Sequence, residues 1–101
     1  MFDRLFVVLF MRSNVVAEFI GTTNSYHGGT FTLTKDYKFT MAAWAYGAGQ
    51  SATCSSGTLI IANQVGDGGY GTGLQVWEDV TAGSTIGVGY GFGVFAGIYE
   101  A

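Results

Sequence analysis

The sequence has no proline, and its 101 residues include only one cysteine, one histidine and four basic residues. The single cysteine, Cys54, excludes a disulfide within the chain and a cysteine-based metal site. The single histidine, His27, excludes the paired histidines of most zinc sites in one chain. With four basic residues and a net charge of −3, the chain has no basic patch for a phosphate backbone, so we expect no nucleic-acid partner.

Charge of either sign is scarce. Charged residues make up 11% of the chain and hydrophobic residues 49%, whereas an average soluble domain carries about 25% charged residues. The length predicts a single domain over residues 1–101. Because so little charge is available to solvate its surface, we expect a partner to cover part of the apolar surface.

The side chains that usually carry catalysis are also poorly arranged. Glu78 and Asp79 are adjacent, and adjacent residues of a strand point to opposite faces, so they do not form a catalytic carboxylate pair. The serines lie in no convincing His/Asp pattern, and no helix follows the glycine runs to bind a phosphate. We therefore expect no enzyme, no catalytic residue, no metal and no cofactor.

Large apolar residues alternate with glycine from position 85 to position 93. The large residues are Ile86, Val88, Tyr90 and Phe92. This period of two predicts a strand, since a helix would lose about 1 kcal/mol for each glycine. A strand with a bare glycine side needs a close neighbour, so we expect Gly87 and Gly89 to face another sheet, another subunit or a side chain lying flat across the strand.

Short alternating segments separated by turn residues predict an all-β fold. The pattern predicts an antiparallel sandwich or barrel with seven or eight short strands. Within the strand at 74–80 we expect Leu74, Val76 and Val80 to point inward. We expect a loop at 47–57 and a closing hairpin that turns at 91–93. The predicted strands are residues 5–10, 15–20, 30–34, 37–46, 58–65, 74–80, 85–90 and 94–100.

The first 17 residues are open to several interpretations. The apolar run 5–11 is shorter than the roughly 20 residues of a membrane helix. Residues 1–17 can be a signal peptide cleaved after Ala17, because Val15 and Ala17 are small residues at the expected positions. One alternative is a first strand at 5–10 that is buried on both faces. The other is the arbitrary start of a fragment, which would leave the sandwich truncated at its N-terminus.

Three segments in order resemble the C1q/tumour-necrosis-factor-like jelly roll. They are 28–45 (GGTFTLTKDYKFTMAAWA), 73–89 (GLQVWEDVTAGSTIGVG) and 94–100 (VFAGIYE), about two thirds of the chain. The sequence departs from the family where Ser84 replaces an aspartate and where Tyr37 follows Asp36 without a glycine. The resemblance implies that the fold is an antiparallel β-sandwich of jelly-roll type with seven or eight short strands. It also implies a homotrimer with aromatic residues near its three-fold axis. It also implies an extracellular, virion, cell-surface or spore-surface location, and microbial or phage relatives.

The remaining candidates for a site are the tryptophans and several tyrosines, which bury a large area and carry a polar tip. They are candidates for contact with a ligand or a neighbouring subunit. The alternative, which we expect for most of them, is packing in the core or at a subunit interface. The candidates are Trp44, Tyr46, Tyr70, Trp77, Tyr90 and Tyr99.

These observations predict a non-enzymatic trimeric head domain of a surface or virion fibre protein, which binds a glycan or a cell-surface receptor. One alternative is a purely structural trimerisation or coat domain. Another is a fragment of an outer-membrane β-barrel, in which glycine and aromatic residues often alternate. Barrel strands are about 9–11 residues long and alternate apolar with polar residues, whereas here the second set is glycine. We therefore expect no membrane partner.

Overall fold

The computed structural model describes residues 14–24, 27–45, 52–65 and 71–101. About three quarters of these residues lie in strands, and none of them lies in a helix. The strands form two antiparallel sheets packed face to face. The predicted all-β antiparallel sandwich is therefore confirmed.

The described part of the chain contains eight strands, which we number in chain order. Five belong to one sheet, the large sheet, and three to the other, the small sheet. The strands are β1 (Val15–Asn24), β2 (Gly29–Thr32), β3 (Tyr37–Ala45), β4 (Ala52–Cys54), β5 (Thr58–Val65), β6 (Thr72–Val80), β7 (Thr85–Val88) and β8 (Phe92–Glu100).

The strand order shows how the chain is wrapped. The large sheet has the order β1-β8-β3-β6-β5 and the small sheet the order β2-β7-β4. The first strand pairs with the last, the second with the seventh and the third with the sixth. The chain passes from one sheet to the other at each connection except that between β5 and β6. The described strands thus form two antiparallel layers, with β4 and β5 in different sheets and not paired with each other.

The predicted loop at 47–57 is wrong in part, because it contains β4. Ala52, Thr53 and Cys54 pair with Val88, Gly87 and Ile86 of β7. Cys54 is half-buried and packs against the core. A strand of three residues is too short to show an alternation in the sequence, so the pattern did not reveal it.

The predicted closing hairpin is also wrong. β7 ends at Val88 and β8 begins at Phe92, and the two strands belong to different sheets. The link turns through Gly91, which has a φ of 88°. Thr23 holds this turn, because its Oγ1 donates to the Gly91 carbonyl at 3.0 Å and accepts from the Gly93 amide at 2.7 Å.

The interpretations of the N-terminus concern residues that lie mostly outside the described part. Residues 5–10, the predicted first strand, lie outside the described part, and so does most of the segment 1–17. Within the described part, β1 begins at Val15 and runs to Asn24, four residues beyond the predicted end at 20.

The core lies between the sheets and is rich in rings and small residues. In β6 the buried side chains are Gln75, Trp77 and Val80, whereas Leu74 and Val76 are only half-buried. The expected inward orientation is therefore wrong for Leu74 and Val76 and right for Val80, because Asp79, with a φ of 60°, changes the alternation. The buried hydrophobic residues are Leu33, Tyr37, Ala42, Trp44, Ala52, Trp77, Val80, Ile86, Val88 and Phe95.

Glycine at two strand positions makes room for these rings. The ring of Trp44 lies across Gly73, where a β-carbon would be 2.1 Å from the indole. The ring of Tyr37 lies across Gly97, where a β-carbon would be 2.4 Å from the phenol ring. No real side chain tolerates such distances, so the register of β3 against β6 and β8 depends on glycine here.

The two glycines expected to face a close surface behave differently. Gly87 is buried in β7, and a β-carbon there would lie 2.4 Å from the carbonyl oxygen of Gly29. The close neighbour is therefore the backbone of the adjacent strand β2, not a facing sheet. Gly89 lies beyond the end of β7 and is exposed in the single chain, so no described sheet covers it, and a contact with another subunit stays a prediction.

Gly87→Ala tests this close approach. We expect it to lower the free energy of unfolding by about 1–3 kcal/mol, because the backbone of β2 cannot move away without breaking its pairing with β7. Gly89→Ala, which adds the same methyl group at an exposed position two residues later, should change stability by less than about 0.5 kcal/mol. Urea denaturation measures the free energy of unfolding of both variants. Equal values would contradict this account, because they would show that the backbone of β2 moves to accept the methyl group.

Candidate interaction surface

The two outer faces of the sandwich differ in chemistry. The small sheet points Thr30, Thr32 and Thr53 outward, and all three are exposed. Their neighbour Phe31 points inward and packs against the core. Threonine is well suited to the solvated face of a strand, so this threonine face is an ordinary solvent-facing surface.

The large sheet instead presents an apolar outer face. Across β1, β8, β3 and β6, the outward positions are occupied by alanine and by larger apolar residues. Phe19 is 65% exposed, Val94 47% and Met41 37%. We call this surface the apolar face and define it by Ala17, Phe19, Phe39, Met41, Ala43, Leu74, Val76, Val94, Ala96 and Ile98.

The strand register makes the apolar face continuous. Ala96 lies between Phe19 on β1 and Met41 on β3, and Met41 lies opposite Val76 on β6. Strands about 4.8 Å apart and about seven residues of about 3.3 Å each give a face on the order of 500 Å². The largest apolar patch of a typical monomer is about 300–600 Å² and is often functional, so a face of this size is a candidate interaction surface.

A shallow cavity of about 290 Å³ lies at the centre of the apolar face, and its lining is almost entirely apolar. It is lined by Ala17, Phe39, Thr40, Met41, Val76, Ala96, Gly97 and Ile98. Such a hollow fits a bulky apolar side chain of another polypeptide better than it fits water.

Charged groups near this face lie at one end of it. Lys38 Nζ lies 3.5 Å from Glu78 Oε2 and 3.1 Å from Asp79 Oδ1. Hydrogen bonding to Asp79 raises the pKa of Lys38 above its usual range. These exposed charges border the apolar face in the way that a polar rim borders a protein interface.

A second cluster ties the edge strand β1 to the start of β3. Tyr37 donates a hydrogen bond to Glu18, and Lys35 Nζ lies 3.0 Å from the other oxygen of Glu18. Lys35 also lies 4.0 Å above the ring of Tyr99, which meets the Tyr37 ring edge to face at 6.0 Å. The Tyr37 ring reaches Glu18 because Gly97, which lies between them on β8, has no side chain.

This cluster shifts the titration of its members. Hydrogen bonds from Tyr37 and then from Lys35 lower the pKa of Glu18. Burial, and then the hydrogen bond to Glu18, raises the pKa of Tyr37 to about 12. The hydrogen bond to Glu18 raises the pKa of Lys35. The folded state therefore favours an ionised Glu18 and a neutral Tyr37, which is the pairing that the contact needs.

The predicted aromatic candidates are not brought together. Trp44 and Trp77 are 4% and 5% exposed and lie in the core, which is the alternative that the sequence left open for them. Tyr99 is half-buried beside Lys35, and Tyr90 is 52% exposed after β7. Tyr46 and Tyr70 lie outside the described residues.

The apolar face is the feature that sequence reasoning missed. Its signal was present in the sequence, since Tyr37, Phe39, Met41, Ala43 and Ala45 form a uniformly apolar side of the predicted strand. In the structure the other side of β3 is the core side, with Thr40, Ala42 and Trp44 buried. A strand with two apolar sides indicates that each side packs against other groups.

Within the described ranges, no three His, Cys, Asp or Glu side chains are grouped so that they could hold a metal ion. The same ranges contain no helix long and apolar enough to cross a membrane. Comparison of the chain with family models, with curated proteins and with solved structures finds no match. The function is therefore inferred from the fold and from the chemistry of its surfaces.

The cluster at Glu18 predicts a pH-dependent stability. Because the pKa of Glu18 is lower in the folded state, its contribution is present above the ordinary carboxyl pKa of 4.5 and is lost as the pH falls through the folded value. Glu18→Gln should lower the melting temperature at pH 7 and have a smaller effect at pH 3. Thermal melts across this range measure it, with Glu100→Gln, at an exposed position on β8, as the control.

A difference between wild type and Glu18→Gln that stays constant from pH 7 to pH 3 would contradict this account of the ionised carboxylate. Tyr37→Phe gives the opposite dependence. Because the pKa of Tyr37 is raised to about 12, its contribution is present below pH 10 and is lost as the pH rises toward 12. The phenylalanine variant should therefore lose less stability than wild type over that alkaline range.

Proposed function

We propose that this chain is a non-enzymatic head domain of a surface or virion fibre protein, that it assembles as a homotrimer through the apolar face, and that it recognises a glycan or a cell-surface receptor. The observation that carries the proposal is the contrast between the apolar face and the threonine face of the same sandwich. A surface as apolar as a core needs a partner, and the chain itself is the partner always present at sufficient concentration.

The wrapping of the strands supports the jelly-roll part of this proposal. The pairs β1 with β8, β2 with β7 and β3 with β6 are those expected of a jelly roll, and they support this part of the proposal. One departure is β5, which pairs with β6 in the large sheet and leaves β4 at the edge of the small sheet. The C1q/tumour-necrosis-factor-like resemblance of the sequence agrees with this wrapping and with a trimer.

The apolar face supplies a driving force for assembly, which must exceed the entropic cost of association. Covering an apolar area on the order of 500 Å² at about 25 cal/mol per Å² gives on the order of 10 kcal/mol per protomer before the entropic cost of association. The hollow at the centre of the face and the exposed Phe19 beside it allow close packing of side chains from a neighbouring copy. The charged groups at one end, Lys38 with Glu78 and Asp79, remain in water.

Two matched lysine substitutions test the trimer. Val94→Lys places a charge in the apolar face, and burial of an unpaired charge should weaken association by at least about a hundredfold. Thr53→Lys places the same charge on the threonine face and should leave the trimer intact. Sedimentation equilibrium gives the mass of wild type and both variants, and circular dichroism confirms that each variant is folded.

The expected result is a trimer for wild type and Thr53→Lys, and a folded monomer for Val94→Lys. A wild type that is monomeric and soluble at micromolar concentration would overturn the proposed assembly. A trimer that survives Val94→Lys would move the subunit contact to another surface.

A further inference from the structure

We propose that the free edge of β5 is a second contact between copies of this chain, in which β5 pairs antiparallel with β5 of another copy about a two-fold axis at Asn63. This contact is separate from the apolar face, and it goes beyond the proposed trimer by joining one trimer to another. Its chemistry does not depend on the trimer.

Among the described strands, only β5 has every residue exposed. It runs from Thr58 to Val65 and is the last strand of the large sheet. In the described part of the chain β5 pairs only with β6. The N–H and C=O groups that point away from β6 therefore form an open row, which is a template for a further strand.

The other free edges of the two sheets carry features with which soluble proteins prevent edge pairing. β2 and β4, at the edges of the small sheet, have only four and three residues. β1, at the opposite edge of the large sheet, carries Glu18 and has an irregular register between Phe19 and Gly21. β5 has eight residues, and it is the only described strand of that length or longer without a charged residue.

The absence of charge favours β5 of a second copy as the partner. Two strands that pair about a two-fold axis bring identical side chains close together. Like charges directly opposite each other destabilise a sheet, and β5 has no charge to repel its own copy. A charged strand of another protein would find no opposite charge on β5 to compensate its own.

The regular part of β5 favours one register. An irregularity lies between Leu59 and Ile61, whereas residues 61–65 pair without interruption with residues 72–76 of β6. A two-fold axis at Asn63 uses only this regular part. Ile61 then lies opposite Val65 of the second copy, and Asn63 lies opposite Asn63. Five residues on each strand form about four to six main-chain hydrogen bonds.

The side chains in this register are complementary. Ile61 and Val65 are exposed in the single chain, and β-branched residues directly opposite each other stabilise an antiparallel pair. The carboxamide of Asn63 both donates and accepts, so two copies of it can hydrogen-bond to each other. Ile61 lies beside Val76, so the pairing extends the apolar face at its edge.

The contact is small, and its strength follows from its size. Five residues from each copy bury less than the roughly 1,200 Å² at which stable interfaces begin. We therefore expect a dissociation constant on the order of 100 μM. The pairing should be absent at the micromolar concentrations that test the trimer and present at about 1 mM.

A cysteine at the two-fold axis tests the pairing. Asn63→Cys, in a Cys54→Ala background, places two thiols on opposite residues whose α-carbons lie about 4.5–5.5 Å apart, which suits a disulfide. Val65→Cys, at another exposed position of β5, is the control, because it would lie about 13 Å along the strand from its own copy. In a glutathione buffer at about 1 mM protein, we expect at least about ten times more disulfide-linked dimer for Asn63→Cys, as measured on a non-reducing gel.

Lysine variants separate this contact from the trimer. Asn63→Lys places like charges opposite each other, so it should prevent the β5 pairing and leave the trimer intact. Val94→Lys should have the opposite effect and leave a dimer through β5 at about 1 mM. Thr53→Lys should assemble as wild type does, beyond the trimer. Sedimentation velocity at both concentrations measures the masses, and circular dichroism confirms that each variant is folded.

Equal cross-linking of Asn63→Cys and Val65→Cys would overturn the inference, because it would reflect random collisions. The absence of a cross-link at both positions would show that no second copy reaches this edge, and stronger cross-linking of Val65→Cys would contradict the axis at Asn63. Specific cross-linking at Asn63 in a protein that sediments as a monomer at micromolar concentration would support the β5 contact and overturn only the proposed trimer.

Discussion

The large sheet depends on aromatic rings that lie across glycine backbone. Trp44 on Gly73 and Tyr37 on Gly97 fill the core side of the sheet at positions where any β-carbon would collide with the ring. The second of these contacts also spans three strands, because the phenol of Tyr37 passes over β8 to reach Glu18 on β1. Many of the glycines in this sequence are therefore packing residues, and loss of one would displace a ring that several strands share.

The outer side of the large sheet is apolar as well as its core side. With aromatic groups filling the interior, the outward positions of β8 and β3 are still apolar, as Val94, Ala96 and Met41 show. The side chains that form ion pairs lie at the margins of the large sheet. They are Lys38 with its carboxylate partners and the Glu18 cluster. A composition rich in glycine and poor in charge thus accounts for two features. Aromatic rings pack on glycine in the core, and the outer face, which the proposed trimer would cover, is apolar.

Period-two patterns were enough to predict the fold class and most of the strands. They could not show which side of β3 is the core, since Phe39 and Met41 on one side and Ala42 and Trp44 on the other are all apolar. They could not show the three-residue strand β4, nor the change of alternation at Asp79, where a positive φ turns Val80 inward.

Hydroxyl-radical footprinting of Met41 tests the central claim, that the apolar face is covered by other copies of the chain. Met41 is 37% exposed in the single chain, so radicals should oxidise it readily if the face is open. We expect slow oxidation of Met41 at a concentration where the protein is assembled, and much faster oxidation after dilution to the monomer. The oxidation rate of the exposed Tyr90 serves as the internal reference. Equally fast oxidation of Met41 at both concentrations would contradict it.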